Sequence, residues 1–98
     1  MTEFKKYDEG KPMMSLLDPF FIEKMAKVLT MGAKKYDKYN WQTCTDTDRF
    51  KDALYRHLIA YLKGDRIDDE SGLPHLAHVC VNAMFLDFFD RGQNGTRN

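Results

Sequence analysis

RFKDALYRHLIAYLKGD, residues 49 to 65, decides the fold. Phe50, Ala53, Leu54, Leu58 and Tyr61 recur every three or four positions, which lines them along one face of an α-helix, and His57 falls on that face with them. Gly64 follows the last apolar turn and suits the left-handed conformation that stops a helix. Asp52 and Arg56, four apart, are expected to pair on the outer surface.

The same period returns on both sides. Upstream, Asp18-Pro19 joins a capping side chain to a proline suited to the first helical position, and Phe21, Ile22, Met25, Val28 and Leu29 form a stripe expected to end near Gly32. A polar loop, KKYDKYNWQTCTDTD (34 to 48), follows, with an Asp or Thr at 46 to 48 placed to cap the next helix. Downstream, a third helix is predicted from about Leu73 to Arg91, with Ser71 or Gly72 near its cap and Pro74 in its first turn. Its core face would be Leu76, Val79, Cys80, Ala83 and Leu86.

No alternating segment long enough to be a strand competes with these helices. The prediction is therefore a single all-α domain over residues 1–98, a small helical bundle of three main helices with a short N-terminal arm. The arm, residues 1–12, and the polar, glycine-rich tail, residues 92–98, are expected to be flexible. A chain of 98 residues buries only roughly two-thirds of its unfolded surface, so the bundle is expected to be completed by homo-oligomerisation, with the arm packing in trans.

Composition excludes several roles. Fifteen basic residues balance fifteen acidic ones, removing the broad positive field that drives duplex nucleic-acid binding. There is no apolar targeting segment and no run of about 18 apolar residues, which argues against a membrane role and for a cytosolic location. Cys44 and Cys80 lack CxxC spacing, so neither a zinc knuckle nor a dithiol redox site is indicated, and Cys80 reads as a small buried hydrophobe. P-loop, GxGxxG and His-Asp signatures are missing.

Chemistry concentrates in DDESGLPHLAHVCVN, residues 68 to 82. His75, His78 and Asn82 share one helical face, and Asp68, Asp69 and Glu70 stand in the loop before it. Carboxylates there suit Mg²⁺ or Mn²⁺ and a phosphoryl substrate, while the imidazoles could take a transition metal, orient water or protonate a leaving group. The plainer reading makes the acidic run a helix N-terminal charge and the histidines packing residues, and His57 taken alone reads as a core histidine. A second cluster, GAKKYDKYNW (32 to 41), sets Lys34 and Lys35 beside Tyr36, Tyr39 and Trp41. That suits stacking a base and steering a triphosphate, and equally a loop pinned on the core by Trp41. Arg49 and Arg56 are forked donors suited to phosphate.

Taken together, GKPMMSLLDP, GAKKYDKYNW, RFKDALYRHL and DDESGLPHLAHVCVNAMFL resemble the phage and bacterial family of dATP/dGTP diphosphohydrolase N-terminal domains, grouped with MazG-like nucleotide pyrophosphohydrolases; the likeness runs over about residues 10 to 87. It implies an all-α protein that cleaves a deoxynucleoside triphosphate to monophosphate and pyrophosphate with a divalent metal, in the cytosol of a bacterium or an infected host. The marked positions would be Lys11, Gly32, Lys35, Tyr36, Asn40, Trp41, Asp52, Arg56, His57, Asp68, Glu70, Ser71, Gly72, His75, His78 and Asn82, with Asp69 variable. One departure stands out: MazG-type enzymes resemble one another through EExxE and a later ExxD, whereas glutamate occurs here only at 3, 9, 23 and 70.

Two functions follow from this reading. In the first, a diphosphohydrolase, Asp52, Asp68 and Glu70 hold the metal. Lys34, Lys35, Arg49 and Arg56 hold phosphates, with Tyr36, Asn40, Trp41 and Asn82 completing the substrate site. His57, His75, His78 and Glu70 perform acid–base work. In the second, the same residues sequester a nucleotide or a nucleotide-derived signal without cleaving it.

Overall fold

The computed structural model describes residues 2–94 and is all-α: α1 (Pro19–Tyr36), α2 (Asp48–Leu62) and α3 (His75–Asn94), with 3-10 turns at Met14–Leu16 and Asn40–Thr43. The helix α3 packs against both α1 and α2. Among the described residues there is no strand, only one antiparallel bridge between Ile67 and Pro74. No described helix is long and apolar enough to cross a membrane.

Asp18 caps α1 as expected, accepting the Phe20 amide at 3.1 Å, and Pro19 occupies the first turn. The helix does not stop at Gly32. A glycine inside a helix costs only about 1 kcal/mol, and the following Ala33, Lys34 and Lys35 are strong helix formers whose charges favour a C-terminus. The chain turns instead at Asp37, whose φ of 79° and ψ of 155° lie in a region used almost only by glycine. Tyr39 is also left-handed, at φ 60°.

At the start of α2 the Thr47 side chain does not cap; Asp46 Oδ1 accepts the Asp48 amide at 3.1 Å. The other end is a full Schellman motif: the Gly64 amide donates to Tyr61 O and the Asp65 amide to Ala60 O, both at 3.0 Å, with Gly64 at φ 98°. The expected Asp52–Arg56 pair does not form; the helical ion pairs are Glu23–Lys27, Asp48–Lys51 and Asp87–Arg91.

The segment between α2 and α3 is tied to itself. Asp68 N–H donates to Leu73 O at 2.9 Å, Gly72 N–H to Asp68 O at 2.8 Å, and His75 N–H to Arg66 O at 3.0 Å. Leu73 O is thus occupied by Asp68, and the helix begins at His75, two residues later than the periodicity suggests. Its most buried face also differs from the expected one. His75, Ala77, Val81 and Asn82 are the buried residues, whereas Leu76, Val79, Cys80 and Leu86 are only half-buried and Ala83 is exposed. The face carrying two of the three histidines and Asn82 is the one pressed into the molecule. At the far end of α3, Phe85 stacks on Trp41 at 4.5 Å, and Phe50 lies 4.9 Å from Phe85. The predicted flexible tail lies partly at residues 95–98, outside the described residues.

Candidate functional site

The helices and the 37–46 loop enclose a groove of about 1100 Å³. Lys35, Tyr36, Asn40, Trp41, Arg49, Arg56, His57, Asp68, Glu70, His78 and Asn82 all line it, so most of the residues singled out from sequence meet in one place. Lys34, Asp52 and His75 do not line it. Lys34 and Asp52 are exposed on their helices, and His75 lies behind the groove, only 6% exposed.

Arg56 has no carboxylate within ion-pair distance among the described residues, so its guanidinium is available to an anion entering the groove. Lys35 Nζ lies 3.3 Å from Glu70 Oε1 and 5.2 Å from the centre of the Tyr36 ring. Both members of the Lys35–Glu70 pair are exposed, so it is weak and can open to admit a ligand. Trp41 is pinned: besides Phe85 it meets Phe88 edge-on at 4.9 Å, which makes it a fixed wall, while Tyr36 stays exposed.

Three imidazoles and two carboxylates, Asp65 and Asp68, gather at the α2–α3 junction. The His57 and His78 rings stack at 4.3 Å with 9° between their planes, and His57 Nδ1 lies 2.8 Å from His75 Nδ1. His75 Nε2 is 3.2 Å from Asp65 Oδ2. His78 Nε2 is 2.8 Å from Ser71 Oγ and 3.8 Å from Asp68 Oδ2, which also accepts the Ser71 amide at 2.8 Å. Burial holds His57 below the usual imidazole range, helped by the neighbouring His78, and burial does the same to His78. Burial pushes the Asp68 carboxyl up. The Ser71 amide and hydroxyl, with His78 and His57 beside it, more than offset that and leave it below the usual carboxylate value. The centre thus favours neutral His57 and His78 beside an ionised Asp68.

Two proton arrangements satisfy the outer trio. Either the Ser71 hydroxyl donates to a bare His78 Nε2, or His78 Nε2–H donates to Ser71, whose hydroxyl turns to Asp68. Exchange between them changes which ring nitrogen of His78 carries its proton and turns the Ser71 hydroxyl, with Asp68 ionised in both. For a cation, the donors that converge are one nitrogen each of His57 and His75 and an Asp68 oxygen, all within 4.8 Å of one another. Asp52 and Glu70, paired with Asp68 in the sequence reading, are not in that group, because Asp52 is outside the groove and Glu70 faces Lys35. Sequence reasoning missed Asp65. No spacing rule connects it to His75 across the nine residues between them; the Ile67–Pro74 bridge and the His75–Arg66 hydrogen bond, which fold the loop back, bring them together.

The groove of this small helical protein thus sets lysine, arginine and aromatic side chains beside an imidazole–carboxylate cluster. The model of the family described as "dATP/dGTP diphosphohydrolase, N-terminal" matches residues 2–97, and the chain belongs to that family. A relative named dATP/dGTP diphosphohydrolase from Salmonella phage PMBT28 is 43% identical over 81 residues, covering 83% of this chain. The chain spans 28% of that relative's length. No solved structure matches the chain.

Proposed function

We propose that this domain binds a deoxynucleoside triphosphate of the dATP/dGTP type and takes part in its hydrolysis to monophosphate and pyrophosphate. The observation that carries the reading is the groove in which Lys35, Arg49 and Arg56 stand on the same surface as the His57–Asp68–His78 cluster. The three cations would hold the phosphates, and Tyr36 would stack on the base against the fixed wall of Trp41. Asn40 and Asn82 supply amide groups to the ligand. The water attacking the α-phosphorus would give its proton to His78, which Ser71 and Asp68 hold in place, as pyrophosphate leaves. A divalent cation such as Mg²⁺ or Mn²⁺ would neutralise phosphate oxygens, with Asp68 as its carboxylate ligand. Glu70 serves by restraining Lys35 until phosphate displaces it.

The rival reading, binding without cleavage, draws on one feature: the groove floor gathers a single carboxylate with the histidines, less than a multi-carboxylate magnesium cradle. Chromatography of dATP and dGTP incubated with the protein and a divalent ion separates the two. The expected products are monophosphate and pyrophosphate, with the rate at least about tenfold lower in Arg56→Ala and Asp68→Asn. Intact nucleotide, with calorimetric binding that Arg56→Ala abolishes, would establish the binding protein instead.

A further inference from the structure

We infer that His57, His75 and Asp68 form a site for one divalent first-row transition-metal ion, with Asp65 as its positioning residue. The Asp65 carboxylate accepts a hydrogen bond from His75 Nε2 at 3.2 Å, so a His75 that ligates does so through Nδ1. That leaves the lone pair of His75 Nδ1 directed at His57 Nδ1, 2.8 Å away. Metal–nitrogen bonds of about 2.0–2.1 Å set adjacent ligand nitrogens roughly 2.9–3.4 Å apart, so a few tenths of an ångström of opening admits an ion between these rings. A carboxylate behind a ligating imidazole is the usual way a protein fixes its tautomer and orientation.

The donor types select the ion. Two imidazoles and one carboxylate suit Zn²⁺, Co²⁺, Mn²⁺ or Fe²⁺, whereas Mg²⁺ prefers an all-oxygen shell. Three protein ligands leave coordination positions for water or a phosphate oxygen, the arrangement of reactive rather than structural sites. His57 and Asp68 also line the groove, so an ion held there is within reach of its contents. The role of the ion rests on the nucleotide reading above; its occupancy does not.

The test is titration of the chelator-stripped protein with Co²⁺ in the absence of nucleotide, followed by visible absorption. We expect a saturable band at one ion per chain, displaced by Zn²⁺ and untouched by excess Mg²⁺. His57→Gln and His75→Gln should each lose the band. Asp65→Asn, at a side chain 60% exposed and therefore harmless to folding, should weaken affinity by about 10–100-fold with helical circular dichroism unchanged. No saturable band in the folded protein, or an unaltered one in His57→Gln, would overturn the site; undiminished affinity in Asp65→Asn would overturn the role of Asp65. Cobalt uptake without nucleotide cleavage would keep the site and reject hydrolysis. Cleavage with Mg²⁺ by protein that takes up no cobalt would do the reverse.

Discussion

His57 and His78 lie ring on ring, half-buried, with Asp68 beside them, and this governs how the metal-free protein answers acid. Both imidazoles titrate below their ordinary value of 6.5 in the folded chain, chiefly because burial penalises the charged form. The unfolded chain therefore holds more protons than the folded one between the depressed values and 6.5. Their contribution to stability is complete above 6.5 and is lost as pH falls through the folded values. Asp68 acts in the same direction further down: its lowered carboxyl contributes above its ordinary 3.8 and loses that contribution as acid protonates it. The urea midpoint should fall between about pH 7.5 and pH 5.5, and His78→Asn should flatten that fall. A midpoint that rises on acidification would mean that the imidazoles gain rather than lose from being charged in the fold.

At the scale of elements, the segment between α2 and α3 does the assembling. The Schellman motif ends one helix, the Asp68–Leu73 and His75–Arg66 hydrogen bonds fold the loop back, and Ser71 receives the Leu73 amide at 3.2 Å. Gly72 sits in this return at φ 72° with nothing within 4 Å of where a Cβ would stand. The cost of Gly72→Ala is thus conformational rather than steric, about 1–2 kcal/mol by urea unfolding. It should also lower affinity for whatever the histidine cluster binds; an unchanged midpoint would show that the loop relaxes freely. Three helices were legible because Phe50, Ala53, Leu54 and Leu58 repeat at helical period and because Asp18-Pro19 and Gly64 punctuate them. The face of α3 was not. Leu76, Val79 and Cys80 outrank His75 and Asn82 on any hydropathy scale, yet a histidine that finds Asp65 and His57, and an asparagine that donates to His78 O at 2.8 Å, can be buried without an unpaired group. The site was legible as residue types and illegible as partners: His57 and Asp68 were separable from Asp52 and Glu70 only once the loop's return was fixed.

The whole molecule exposes far more surface than its mass requires. A compact 11.5 kDa monomer shows about 5800 Å² and has a radius of gyration of about 12.6 Å, against 8282 Å² and 17.2 Å here. The excess, about 2500 Å², is several times the roughly 800 Å² each partner commits to a standard interface. Its apolar part is concentrated ahead of and along α1, where Leu16 is 77% and Phe20 74% exposed, with Met13, Met14, Leu17 and Ile22 beside them in sequence. Large exposed apolar surface is what an interface between chains covers, and this one can be tested. The occupant we expect for the isolated chain is a second copy, because an isologous pair covers the same face on both molecules and needs no further component. Light scattering on the eluted protein should then give twice 11.5 kDa, and Leu16→Asp combined with Phe20→Asp should give a single chain that keeps its helical circular dichroism. Wild-type protein eluting as a monomer at micromolar concentration would sink the pairing.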